Sequence, residues 1–251
     1  MPTAGELYRA FDSDPKPVVD FLRWQADVRG LGDSLRVLDV GCGVGRLAAP
    51  LTGLGWRVTA MEPNASYRAI AEAACRKLTG VEVRMGGFND IGSVGSYDMV
   101  LGINGSFAYL RTPDERLDAL DRCRNALKPH GLLVLDLPNM LWILRNYREP
   151  VDQTRQVGLT TVMLRRRHLI DWQRATFTTR QEYRAVGKGS TLLLQEDHVY
   201  AITSLPELTF LLAEAGFDEP DTYRGFDSRR PEPIGEGRML LVARPAPETD
   251  D

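Results

Sequence analysis

The chain has 251 residues, 43% hydrophobic and 26% charged, which excludes disordered and fibrous classes and suits one α/β domain carrying an insertion. Lysines and arginines number 31 against 34 acids, a net charge of −3 that lacks the basic excess of a duplex-binding surface, so nucleic acid is not an expected partner. Three scattered cysteines (Cys42, Cys75, Cys123) and three histidines (His130, His168, His198) match no disulfide framework and no metal-ligand spacing, so no metal is expected.

Met1–Pro17 lacks the apolar core of a signal peptide, and no apolar run reaches the length of a membrane span; a cytoplasmic protein with no membrane partner is the expectation. Residues 1–35 read as an N-terminal helical arm. Arg36–Val40 (RVLDV) is a short apolar run ending at glycines, as a buried parallel strand does. Gly45–Gly53 reads as a helix with Leu47, Ala48 and Leu51 on one face. Arg57–Met61 is a second strand, Ser66–Leu78 an alanine-rich helix, Val81–Met85 a third strand and Tyr97–Ile103 a fourth. Asp114–Leu127 is amphipathic through Leu117, Leu120 and Ala126. Pro129-His130-Gly131 is expected to stop that helix before a fifth strand, Leu132–Leu137. The strict alternation over 36–137 predicts a doubly wound, mostly parallel α/β sheet.

After Pro138 the period changes from helical to alternating. Thr160–Asp171, Thr176–Val186 and Thr191–Thr203 read as antiparallel strands, the last two joined at Gly187-Lys188-Gly189, so 138–203 is an insertion over the acceptor side. The core resumes at 204–244. Ser204 with Glu207 reads as a capping box, Pro206 suits the first turn, and the helix is expected to end at Gly216 before a last strand, Arg238–Ala243. Residues 245–251 read as a disordered acidic tail.

The turn after the first strand is Asp39-Val40-Gly41-Cys42-Gly43-Val44-Gly45-Arg46. Glycines there let backbone approach a ligand closely. A dinucleotide fingerprint G-x-G-x-x-G would put its third glycine at position 46, which is arginine. The acid at Asp39 suits a cationic ammonium better than a pyrophosphate.

The D-x-G-x-G-x-G turn resembles motif I of the class I, seven-strand S-adenosylmethionine (SAM)-dependent methyltransferases. The resemblance implies a Rossmann-like seven-strand sheet and SAM as cofactor, with S-adenosylhomocysteine as product. It places Asp39, Gly41, Cys42, Gly43 and Gly45 around the cofactor. Glu62, with Pro63, matches the acid that holds the ribose hydroxyls. Phe88, Asn89 and Asp90 fall where the family surrounds adenine. Asn104 and Gly105 open the loop beside the methionine part. Leu127-Lys128-Pro129-His130-Gly131 and the Ser204–Phe217 stretch match later segments in order. The antiparallel insertion is similar to that of small-molecule N-methyltransferases, including amino-sugar N,N-dimethyltransferases, and could carry a homodimer contact.

The acceptor wall is expected from Tyr8, Ser106, Phe107, Tyr109, Asn139, Trp142, Trp172, Tyr183 and Tyr200, with Tyr8, His168 and His198 as catalytic candidates. Packing roles suit Tyr8, Trp142 and Trp172 as well, and a surface role suits both histidines. The function these residues imply is methyl transfer to an amine or hydroxyl of a small metabolite by in-line displacement, mainly through positioning. The alternatives are a SAM-binding sensor or partner without turnover, and an NAD-dependent dehydrogenase. Arg46 and the lack of a Tyr-x-x-x-Lys set disfavour the last.

Overall fold

Arg36–Val40 (β1) pairs in parallel on one edge with Arg57–Met61 (β2) and on the other with Tyr97–Gly102 (β4), so it lies at the centre of the main sheet. The computed structural model describes residues 1–149, 152–187 and 189–247. Val81–Arg84 (β3) extends the sheet beside β2, and Leu127–Pro138 (β5) beside β4. Arg238–Ala243 (β11) runs antiparallel to β5, and Asp221–Tyr223 (β10) antiparallel to β11. The order is β10-β11-β5-β4-β1-β2-β3. Strand order reverses between β1 and β4, and such a reversal opens a crevice at the carboxyl ends of the strands.

Several element boundaries differ from the expectation. The helix expected from Gly45 begins at Ala48 (α3, Ala48–Gly53), because Gly43 and Gly45 hold φ values of +58° and +77°, outside the helical region. Asn64 caps α4 (Ala65–Cys75) by accepting from the Ser66 and Tyr67 N–H groups, moving its start one residue early. Thr112 and Glu115 form a capping box that starts α5 at Pro113 (Pro113–Ala126). Pro129-His130-Gly131 stops no helix: α5 ends at Ala126 and β5 begins at once, with an irregular register against Tyr97 and Met99.

Ser204 does cap α7 (Leu205–Glu214), but Glu207 does not complete a box. Its carboxylate instead takes the Arg116 guanidinium of α5 at 2.6 Å. The expected tail also starts too early: Phe217 bridges Pro245, and the Ala246 N–H donates to the Gly216 carbonyl. Residues 248–251 of that segment lie outside the described residues.

The second sheet has the order β6-β7-β8-β9, all antiparallel, from Gln153–Val157 (β6), Thr160–Asp171 (β7), Thr176–Ala185 (β8) and Thr191–Ala201 (β9). β8 and β9 each stop short of the expected ends, and Lys188 of their connection lies outside the described residues. The first helix, Ala4–Phe11 (α1), packs Leu7 against Val157, Val162, Leu164 and Tyr183 of this sheet rather than on the main one. Lys16–Val28 (α2) buries Phe21 and Leu22 against the main sheet, beside Tyr223 of β10. A short helix, Met140–Arg145 (α6), leaves the end of β5. Among the described residues no helix is long and apolar enough to cross a membrane.

Candidate functional site

The glycine turn leaves β1 at the crevice, and its three glycines do different work. The N–H groups of Gly41 and Cys42 both donate to the Met61 carbonyl, at 2.8 and 3.0 Å, tying the turn to the end of β2. Gly41 has φ +73°, and a Cβ there would stand 2.5 Å from the Ser106 Cβ. Gly43 has φ +58° with nothing within 4 Å of a Cβ, so its open side faces the cleft. Gly45 faces elsewhere: a Cβ would meet Ala71 of α4 at 3.2 Å, so this glycine serves helix packing and not the cleft. Cys42 is buried in the core cluster beneath the turn.

Two carboxylates flank the turn. Glu62 accepts from the Gly43 N–H at 2.9 Å on one oxygen and from the Asn64 N–H at 2.8 Å on the other. An ionised carboxylate has about four acceptor sites, so two remain for ligand hydroxyls. Asp39 is only 3% exposed, and burial pushes its pKa up to about 7; the like charge of Glu62 adds to the rise and the Arg46 guanidinium opposes it. Arg46 also donates to the Ser13 carbonyl and hydroxyl, at 3.2 and 3.0 Å, which fastens the arm beside the turn.

Beyond β3, Pro63 lies across from Gly87, 3.9 Å from where a Cβ on that glycine would stand. Phe88 is buried edge-on to Phe107, ring centroids 5.2 Å apart, and supports the wall from behind. Asp90 accepts the Gly87 N–H at 2.9 Å and so closes its own turn. Asn89 Oδ1 is buried with no hydrogen-bond partner among the described residues, and so is Ser106 Oγ. Buried polar atoms ordinarily have partners, and the Ser106 Oγ stands 3.2 Å from where a Cβ on Gly41 would lie, so an adenosyl ligand beside the turn fits these two unpaired atoms.

A cavity of about 310 Å³ lies where the insertion covers the ends of β4 and β5. Asn104, Gly105, Asp136, His168, Phe177, Thr179, Tyr200 and Arg238 are among its lining residues. Asp136 escaped the sequence reading, although a single acid inside Leu132–Leu137 (LLVLDL) was a usable signal: a buried strand carries a charge only where something pairs it. β11 places Leu240 opposite Asp136, so Arg238 reaches it diagonally, Nη1 to Oδ1 at 2.5 Å. Burial raises the Asp136 pKa, and Arg238 works against that rise. Asp136 also holds the loop after β4. Its Oδ2 accepts from the N–H of Asn104, a non-glycine at φ +57°, and its carbonyl accepts from Gly105.

Strand register assembles the roof of the cavity. Thr179 lies between His168 and His198, Phe177 faces Tyr200, and Gln181 lies between Arg166 and Glu196. Glu196, also missed, joins three parts of the chain. Tyr8 of the arm donates to one of its oxygens at 2.6 Å, and Tyr67 of α4 to the other at 2.7 Å. The Tyr8 hydroxyl is therefore committed to Glu196, and burial with that carboxylate raises its pKa. Tyr109 and His198 meet at 2.7 Å through Nδ1, and the Tyr109 and Tyr200 hydroxyls lie 3.3 Å apart. Burial lowers the pKa of both His168 and His198.

Of the acceptor candidates Tyr200 lines the cavity; Tyr8, Ser106 and Tyr109 are not among its lining residues, and five others are held elsewhere. Phe107 is wholly buried in the core, because the turn at Ser106–Tyr109 points it inward. Trp172 is 74% exposed at the β7–β8 turn. Asn139 caps α6, accepting from the Trp142 N–H and donating to the Gly235 carbonyl. Trp142 packs toward Gly237, while Met140 and Ile143 are the α6 side chains that line the cavity. Tyr183 is buried among Leu7, Val162 and Leu164.

Residues 37–131 match the family described as methyltransferase domain. A ubiquinone biosynthesis O-methyltransferase from Bradyrhizobium diazoefficiens is 32% identical over 126 residues, covering 48% of this chain and 47% of that protein. The chain thus spans about half the length of this curated relative. The sugar N-methyltransferase KedS8 from Streptoalloteichus shares the fold with a TM-score of 0.76 at 21% identity, covering 98% of this chain and 94% of that one. SAM-bound CalS10, an amino pentose methyltransferase from Micromonospora echinaspora, shares it with a TM-score of 0.73 at 20% identity, covering 97% of each. With the seven-strand order, the open glycine turn and its paired carboxylates, residues 37–131 are thus similar to a methyltransferase domain, on a fold shared with SAM-bound CalS10.

Proposed function

We propose that this protein transfers a methyl group from SAM to an amine, or failing that a hydroxyl, of a small acceptor held in the 310 Å³ cavity. One observation carries the reading: Gly41 of the glycine turn packs against Ser106, and the residues just before it, Asn104 and Gly105, line the cavity under the roof of the second sheet. Glu62 would take the ribose hydroxyls, Asp39 the ammonium and Asn89 the adenine amine. Asn89 suits that role better than Asp90, whose carboxylate is already engaged. When bound, SAM supplies an electrophilic methyl that an acceptor lone pair takes in line as the carbon–sulfur bond breaks toward sulfur. The chain's own part is to orient the acceptor and exclude water. Amine transfer is favoured because the structural likeness to sugar N-methyltransferases extends over nearly the whole chain, antiparallel layer included.

Methyl-labelled SAM incubated with a bacterial metabolite extract tests this. Label should appear in a small molecule; label that is bound but never transferred would make the protein a sensor.

Asp39 also gives the site a pH dependence. Near pH 7 part of it is protonated in the free protein, and an ammonium ligand favours the ionised form, so binding expels a proton. SAM affinity should fall as pH drops from about 8 to 6, approaching tenfold per pH unit below the pKa. Calorimetry across that range measures it, and Asp39→Asn should flatten the slope. An equally steep slope in the variant would remove Asp39 from this role.

A further inference from the structure

Between the cofactor turn and the cavity lies a polar line that the methyl-transfer reading leaves unused. Tyr109 ends the turn after β4 and is 44% exposed. Its hydroxyl is 3.3 Å from that of Tyr200, a lining residue of the cavity, and 2.7 Å from His198 Nδ1. On the far side of the imidazole, Nε2 lies 3.9 Å from Glu196 Oε2. Both oxygens of Glu196 are held in place by the hydroxyls of Tyr8 and Tyr67.

We propose that Tyr109, His198 and Glu196 form a proton relay: Tyr109 is the catalytic residue that takes the acceptor's proton and passes its own to His198, and Glu196 is a positioning residue. The assignment rests on the methyl-transfer reading, since only an acceptor in the cavity has that proton to give. The balance is simple. An ammonium or hydroxyl acceptor loses H⁺ to the Tyr109 oxygen while the Tyr109 proton moves to Nδ1, leaving a free lone pair on the acceptor, a neutral tyrosine and an imidazolium. This requires the Nε2–H tautomer, with its proton toward Glu196 and Nδ1 free to accept.

The groups facing the imidazole fit that direction. Glu196 and Asp197 on its own strand favour imidazolium, whereas burial keeps the ring neutral beforehand. Tyr200 faces it from the cavity, Tyr109 from the turn after β4 and Thr179 from β8, and His168 lies beyond Thr179 on β7 with Arg166 two residues away. Burial raises the pKa of Tyr109, so its proton passes in one concerted movement without a tyrosinate accumulating.

The test needs no identified acceptor. The chain has three histidines, so ¹⁵N-histidine labelling gives three pairs of ring-nitrogen signals, assigned with His130→Gln and His168→Gln. His198 should appear as the Nε2–H tautomer at pH 8. Tyr109→Phe should move its Nδ1 resonance, and Glu196→Gln should lower its titration midpoint by about one pH unit. An Nδ1–H tautomer, or an Nδ1 signal indifferent to Tyr109→Phe, overturns the relay. Calorimetry with SAM on the same samples separates the two ideas: SAM bound beside the wrong tautomer sinks the relay alone, whereas no SAM binding sinks the methyl-transfer reading itself.

Discussion

Gly43→Val is expected to abolish SAM binding, a loss beyond about a hundredfold, in a protein that still folds. Nothing stands within 4 Å of a Cβ at this position, so the new side chain enters the cleft rather than the protein. Backbone strain is the second cost. Gly43 sits at φ +58°, and a left-handed conformation costs a non-glycine residue about 1–2 kcal/mol, which a domain of this size withstands. Gly41→Val makes the contrast. Its Cβ would fall 2.5 Å from that of Ser106, so the damage should appear as lost thermal stability. Calorimetry and a thermal melt on both variants read the difference. A folded Gly43→Val protein with wild-type SAM affinity would show that the cofactor lies elsewhere.

Glu62→Ala should weaken SAM binding by about 10- to 100-fold, the worth of one or two hydrogen bonds to a charged acceptor. Two effects add. The ribose hydroxyls lose their acceptor, and the N–H groups of Gly43 and Asn64, now clamped at 2.9 and 2.8 Å, lose their anchor. Glu62→Gln cannot stand in well, because its amide would turn a donor toward one of those N–H groups. Unchanged affinity by calorimetry would remove Glu62 from the ribose site.

The parallel core was readable because burial on both faces leaves continuous apolar runs, and β1, β2 and β11 begin and end where the sequence places them. The alternating period of Thr160–Asp171 likewise marks β7 to the residue. Shorter elements gave too little pattern: β10 has three residues and α6 has six. At Leu127–Gly131 the expectation failed because a proline and a glycine, ordinary helix stops, instead lie within an irregular strand that pairs with β4. Phe107 and Tyr109 show the limit at the site. They stand two apart in one turn, yet one is core and the other is partly exposed.

From sequence alone came the glycine turn after β1 and the two acids that flank it, since glycine conformations and strand ends are local and leave their mark within a few residues. The cavity was a different matter. Tyr8 and Tyr67 reach Glu196 across 188 and 129 positions, and Arg238 finds Asp136 only because β11 runs antiparallel beside β5. Such meetings depend on how two sheets and an arm pack, and no short-range pattern encodes them. Packing therefore decided which polar groups of this chain stand together over the cavity.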